Sequence, residues 1–272
     1  WPLTEDRTKP AVPFLNKPLV AYSVEYLAGA GIDDIVVNLH HRPESVMSAL
    51  GDGSALGVRI RYSLEDEILG TGGGLDKVRD WLEDDEFAVV NGKIVTDLDL
   101  AAAIAAHRER DALATLVLME NREREHFTIV DTDERGQVLG FNGFPDDEAH
   151  AADDGPPPLM FTGIQVMSPR IFEYIPRGRF SHTTVDVFPP AIAAGERIVG
   201  HVGRGTWKEM STLARYLDES VDAARATGSS VVAGERCAID PGATVLESVL
   251  WNDVRVANGA RLERCIVGDG VT

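Results

Sequence analysis

Lys9 is the first residue whose type and setting could do chemistry. The opening stretch Trp1 to Leu19 carries four prolines and three cations, Arg7, Lys9 and Lys17. Proline fixes φ and disfavours helix, so this stretch reads as a stiff extended loop that holds Lys9 in one place. A held ammonium beside a concave site is what a phosphate group needs. Solvated charges on a proline-rich leader would read the same when taken alone. The run Gly70-Thr71-Gly72-Gly73-Gly74 offers a second chemistry. Glycines let backbone approach a ligand closely, and a helix starting near Leu75 would turn its N-terminus toward an anion or a base. Asn91-Gly92-Lys93 follows a short apolar run, and Gly163 interrupts another. A glycine inside a strand marks a close approach of ligand or backbone, with packing as the plain alternative.

The elements that must position these groups alternate. Apolar periodicity predicts a helix over Leu19 to Ala30, ended by Gly29 and Gly31. Strands are expected at Ile35 to Leu39, Val58 to Leu64, Phe87 to Val90 and Ala114 to Met119. Helices are expected at Pro43 to Leu50 and Leu100 to Glu109, with Asp97 and Asp99 as caps of the second. This beat of strand and helix predicts an α/β fold with a Rossmann-like, mainly parallel sheet covered by helices. Such sheets bind ligands beyond the carboxyl ends of their strands. His40, the segment Glu65 to Gly74, and Asn91 to Lys93 all fall there. Phe127 to Phe144 reads as a hairpin turning at Gly136. Asp146 to Pro158 is acidic, proline-rich and unpatterned, a surface loop. A strand is expected at Met160 to Met167, a helix kinked by Pro189 and Pro190 at Val185 to Ala194, and a helix at Leu213 to Thr227.

The run PLTEDRTKPAVPFLNKPLV and the segment LGTGGGL together resemble the sugar-1-phosphate nucleotidyltransferases. These join a nucleoside triphosphate to a sugar 1-phosphate and release pyrophosphate. The resemblance implies that Lys9 contacts the reacting phosphates. It implies that Gly70, Thr71, Gly72 and Gly73 meet the nucleotide, and that Asn91, Gly92 and Gly163 line the substrate site. The family reads Asn-Gly-Asp or Asn-Ser-Asp where this chain has Asn91-Gly92-Lys93, and its aspartate holds magnesium. A lysine cannot ligate Mg2+, which wants oxygen ligands. Lys93 therefore either supplies the positive charge itself or marks a silent homologue that still binds a nucleotide sugar. At the family's second magnesium ligand stands Glu209, followed by Ser211 in place of a glycine; Trp207 reads as a packing anchor. The lysine of the family's Glu-Lys-Pro segment has no counterpart in Gly140-Phe141-Asn142-Gly143-Phe144-Pro145. The triple glycine leans toward guanylyl transfer, hence GTP and mannose 1-phosphate. The family's glycine-rich loop would lie before Trp1, so a fragment is expected at that end.

Composition narrows the rest. In 272 residues, 44 acidic against 26 basic side chains give a net charge of -18. Such a surface repels nucleic acid and anionic lipid, so any phosphate site must be locally basic. Cys237 and Cys265 form no disulfide framework and no zinc motif, which suits the cytoplasm. No apolar run reaches the ~20 residues of a membrane span. From Val231 onward, Ile239, Val245, Val256 and Leu262 recur at near-six spacing, with corners at Pro241-Gly242, Asn258-Gly259 and Asp269-Gly270. This resembles the left-handed parallel β-helix built of hexapeptide repeats that many of these transferases carry. The expected division is a nucleotidyltransferase domain over 1–228 and a partial β-helix over 229–272, stopping within a rung. Solenoid edges are where copies of the chain could form a homo-oligomer.

Overall fold

The computed structural model describes residues 2–142 and 155–272. Gly143-Phe144-Pro145, and the part of the expected acidic loop before Gly155, lie outside them. After a 3-10 turn at Lys9–Ala11, a small ribbon pairs β1 (Pro13–Phe14) with β2 (Lys17–Pro18). Helix α1 follows at Leu19–Gly29, then β3 (Asp34–Leu39), α2 (Pro43–Leu50) and β4 (Arg59–Leu64). Next come α3 (Gly70–Lys77), β5 (Phe87–Val90), β6 (Ile94–Thr96), α4 (Leu100–Glu109) and β7 (Ala114–Glu120). A hairpin of β8 (Ile129–Thr132) and β9 (Val138–Asn142) precedes β10 (Leu159–Met167). Helix α5 (Phe188–Ala193), β11 (Ile198–Val202), β12 (Trp207–Glu209) and α6 (Leu213–Arg225) complete the α/β part.

The sheet is mixed rather than mainly parallel. In the main sheet β11 runs parallel to β7, but β10 is antiparallel to both β5 and β7; β3 and β4 form a separate parallel pair. The cause is local. The strand-helix alternation stops after β7, and the β8–β9 hairpin returns the chain without a crossover helix. Successive residues of these strands still point to opposite faces. Val117, Ile164 and Val166 enter one core with α1 and α4, whereas Leu116, Leu118 and Met167 enter the other with α5.

Two helices differ from expectation. α3 starts at Gly70, so the glycines form its first turns instead of preceding it. Their anchor is tertiary: the N–H groups of Gly72 and Gly73 donate to the Ser181 carbonyl at 2.8 and 3.3 Å. Pro189 and Pro190 kink nothing. They occupy the first turn of α5, where a missing N–H costs little, and a π-helical turn at Thr183–Val187 precedes them. The cap expectation splits. Asp99 caps α4 by accepting from the Ala102 N–H at 2.9 Å, while Asp97 accepts from the Thr206 N–H at 2.6 Å and pins the distant loop before β12.

The C-terminal stretch stacks short parallel strands: Val231–Ala233, Ser248–Leu250 and Ile266–Val267 form one ladder, and two further pairs lie beside it. Contacts between rungs recur at a separation of 17 residues. Val245, Val256 and Leu262 line its interior core, whereas Ile239 is exposed. Trp251 ties this stack to the rest. Its indole N–H donates to the Tyr216 hydroxyl at 3.0 Å, and that hydroxyl donates to the Pro13 carbonyl at 2.5 Å. Arg7 lies over the Trp251 ring at 4.7 Å and reaches Asp269 at 2.5 Å.

Burial raises the phenols of Tyr22, Tyr26 and Tyr216 to about 12. The native state therefore keeps these protons above pH ~10, where the unfolded chain has released them. Their contribution to stability is full below pH ~10 and is lost as the pH climbs to about 12. Urea unfolding is expected to show a lower midpoint at about pH 11 than at about pH 9, with a smaller fall in Tyr216→Phe. Equal falls in the two proteins would reject the assignment to Tyr216.

Candidate active site

The three cations of the opening stretch have different fates. Arg7 is held by Asp6 and Asp269, and Lys17 by Glu25 and the face of Tyr22. Lys9 has no carboxylate partner among the described residues, and its ammonium donates to the Ser211 carbonyl at 3.3 Å. The loop is stiff for the reason the prolines gave and is further pinned at Thr8, whose N–H donates to Ser45 Oγ on α2 at 3.2 Å. A cavity of about 240 Å3 opens beside Lys9, between the opening stretch and the start of α6; Thr4, Ser211, Thr212 and Tyr216 line it. Thr212 caps α6 by accepting from the Arg215 N–H at 3.2 Å. A helix N-terminus and an ammonium without a carboxylate both favour negative charge here, against the sign of the whole surface.

Asn91, Gly92 and Lys93 form the adjoining turn. The Asn91 N–H donates to the Gly163 carbonyl at 3.1 Å, and its own carbonyl accepts from Ser23 Oγ at 3.1 Å. Gly163 sits at a strand irregularity in β10 with φ of 79°, and a Cβ there would collide with the Asn91 amide. Gly163 is thus required for packing against Asn91, and Asn91 is fixed by it. Gly92 faces Pro10 and Val20, so this turn abuts the Lys9 segment.

Lys93 and Glu209 meet in an ion pair. Antiparallel pairing of β6 with β12 sets this up, with Glu209 opposite Ile94 and the Met210 N–H donating to the Lys93 carbonyl at 3.3 Å. The Glu209 side chain is 8% exposed and that of Lys93 38%. Lys9, Asn91, Gly92, Lys93, Gly163 and Glu209 therefore converge, with Ser211 linking the Lys9 and Glu209 sides. Ser211 was not among the expected site residues, because the contact uses its backbone carbonyl, which no side-chain motif announces.

The glycine run is placed differently. A Cβ on Gly70 would meet the Ser181 carbonyl at 2.5 Å, on Gly72 the Ser181 hydroxyl at 2.6 Å, and on Gly73 the Arg179 carbonyl at 2.6 Å. Thr71 Oγ1 accepts from the Thr183 N–H at 3.0 Å. These residues spend their close approach, and the N–H groups of Gly72 and Gly73, on the 179–183 segment of their own chain. Within the chain, the partner of this run is therefore the 179–183 segment. Buried Glu65, at the head of the expected Glu65 to Gly74 segment, orders the loop before α3 by accepting from Asn38 Nδ2 at 3.0 Å and the Leu69 N–H at 3.1 Å.

The expected magnesium does not fit the residues present. Among the described residues no group of three or more His, Cys, Asp or Glu could hold a metal. The carboxylate of Glu209 already has an ammonium as its cation. Trp207 is the packing anchor expected of it: its indole donates to the Thr162 carbonyl at 2.9 Å and its ring meets Phe127 edge-on at 5.1 Å.

Comparison with known proteins gives this geometry its context. The family described as nucleotidyl transferase matches residues 1–226. The mannose-1-phosphate guanylyltransferase of Mycobacterium tuberculosis is 31% identical over 99% of this chain and 76% of its own length. The chain belongs to the sugar-1-phosphate nucleotidyltransferase family. A uridylyltransferase of Synechocystis, acting on UTP and glucose 1-phosphate by its name, is 33% identical over 71% of this chain; the match spans about half, 52%, of that relative. In fold the chain is similar to a Bacillus anthracis crystal structure in complex with sucrose, at a TM-score of 0.70 and 21% identity, covering 83% of this chain and 89% of that one. HddC from Yersinia pseudotuberculosis is similar at a TM-score of 0.67 and 20% identity, over 80% of this chain and 91% of that one. These likenesses show the Rossmann-like α/β fold. No helix among the described residues is long and apolar enough to cross a membrane.

Proposed function

We propose that this nucleotidyltransferase makes a nucleoside diphosphate sugar from GTP and mannose 1-phosphate. A phosphate oxygen of the sugar 1-phosphate attacks the α-phosphorus of the triphosphate. The bond from that phosphorus to the bridging oxygen breaks, and pyrophosphate leaves with its electron pair. Such chemistry needs positioning and charge neutralisation more than a covalent intermediate. One observation carries the reading: Lys9, held by a proline-braced loop without a carboxylate partner among the described residues, stands at a cavity beside a capped helix start. Lys9 neutralises the triphosphate, Asn91, Gly92 and Gly163 wall the substrate site, and the glycine run Gly70 to Gly73 supports the nucleotide side through its packed backbone. The likeness to the mycobacterial guanylyltransferase over 99% of the chain supports the choice of base and sugar. We place the enzyme in the cytoplasm, with a catalytic domain over 1–228 and a left-handed hexapeptide β-helix over 229–272 through which copies associate.

Pyrophosphate release from the full-length protein, measured with GTP, UTP, ATP and dTTP against mannose and glucose 1-phosphates, tests this. The expected result is fastest release with GTP and mannose 1-phosphate. Release with another pair alone would overturn the substrate choice, and none with any pair would reject turnover. The Lys93–Glu209 pair favours one second reading, a homologue that binds a nucleotide sugar without turning it over. Calorimetric binding of GDP-mannose in the absence of turnover would support it.

A further inference from the structure

We infer that the ammonium of Lys93 takes the place of a divalent cation, so that this protein binds a nucleoside diphosphate sugar without metal. The identity of that ligand rests on the function proposed above; the exclusion of metal does not. Glu209 is nearly buried, and its carboxylate meets the Lys93 ammonium. The pair is set by backbone, since β6 and β12 align Glu209 opposite Ile94 and the Met210 N–H donates to the Lys93 carbonyl at 3.3 Å. A divalent ion approaching Glu209 would meet a like charge at contact distance, and an ammonium has no lone pair to offer it. The neighbouring carboxylates are engaged elsewhere. Asp97 holds the Thr206 N–H, Asp99 the Ala102 N–H, and Glu219 pairs with Lys208. Among the described residues no group of three or more His, Cys, Asp or Glu gathers to hold an ion. Lys93 remains partly exposed and carries three N–H donors, so donors beyond the one on Glu209 are open to a phosphate oxygen.

Two measurements on the full chain test this. Manganese alone is titrated while the free-ion resonance is followed by electron paramagnetic resonance, in the native protein, Lys93→Asp and Glu209→Gln. The expected result is no difference between native protein and Glu209→Gln, and one additional bound ion in Lys93→Asp. GDP-mannose is then titrated calorimetrically in EDTA and in magnesium chloride. The native Kd should change less than twofold between the two media, whereas Lys93→Asp should bind at least tenfold more weakly in EDTA. An ion bound by the native protein and lost in Glu209→Gln would overturn the inference, as would a tenfold loss of native affinity in EDTA. Both of these overturning results are read from the native protein and Glu209→Gln, so they stand even where Lys93→Asp does not fold. If no GDP-mannose binds in either medium, the proposed substrate fails, while the manganese titration still decides the question of metal.

Discussion

Replacing Lys9 by alanine is expected to lower kcat/KM for nucleotide-sugar formation about 100- to 1000-fold, about 2.7–4 kcal/mol of transition-state stabilisation. Charge is the first reason. The chain carries a net charge of -18, so an incoming triphosphate meets a repulsive surface except where a cation is left unneutralised. Arg7 and Lys17 are neutralised by carboxylates; among the described residues Lys9 meets none. Its ammonium bonds the Ser211 carbonyl at 3.3 Å, and the side chain is half-buried, so its loss should change thermal stability little. Lys9→Arg should recover part of the rate, since it keeps the charge but not the compact ammonium. Steady-state kinetics with a parallel melting curve separates the cases. A rate within threefold of native, or a large fall in Tm with unchanged kinetics, would remove Lys9 from the reaction.

Gly163→Ala is expected to destabilise the fold by about 2–4 kcal/mol, combining left-handed backbone strain with overpacking. With φ of 79°, a side chain at this position is strained whatever the space, and its Cβ would collide with the Asn91 amide. Asn91 must then shift, and with it the hydrogen bonds to Gly163 and Ser23 that hold the Asn91–Lys93 turn. Urea denaturation should show the lost stability, and kcat/KM should fall with it. Native-like stability would mean that β10 tolerates a side chain here and that Gly163 does not fix the turn.

Much of the fold is legible in the residues because the governing interactions are local. The helix at Pro43–Leu50 and the strand at Phe87–Val90 follow from proline placement and apolar runs, and the structure has both. Family motifs rather than any spacing point to a convergence of Lys9, Gly72 and Glu209; Ser211 links Lys9 and Glu209, whereas Gly72 packs against Ser181. Two features are hidden because they depend on contacts between distant segments, whereas a third, the direction of β10, has a local cause. The direction of β10 follows from a hairpin insertion that the strand-helix rhythm does not encode. Gly70 to Gly73 look like a ligand cradle, and their bareness is used within the chain by Arg179 and Ser181, more than a hundred residues on. Asp97 looks like a helix cap, yet it holds Thr206. The Lys93–Glu209 pair is half visible: each residue stands out as a departure from pattern, but that the two departures neutralise each other emerges only when β6 and β12 are aligned.

The proposed substrate site lies where the Lys9 loop, the Asn91–Lys93 turn and the start of α6 meet. Backbone amide resonances of the full chain, followed while GDP-mannose is added, test that placement most directly. The expected result is a concerted shift of Lys9, Asn91, Gly92, Lys93, Gly163 and Ser211. Saturable shifts that leave these six unmoved and fall on the stacked C-terminal strands would contradict it.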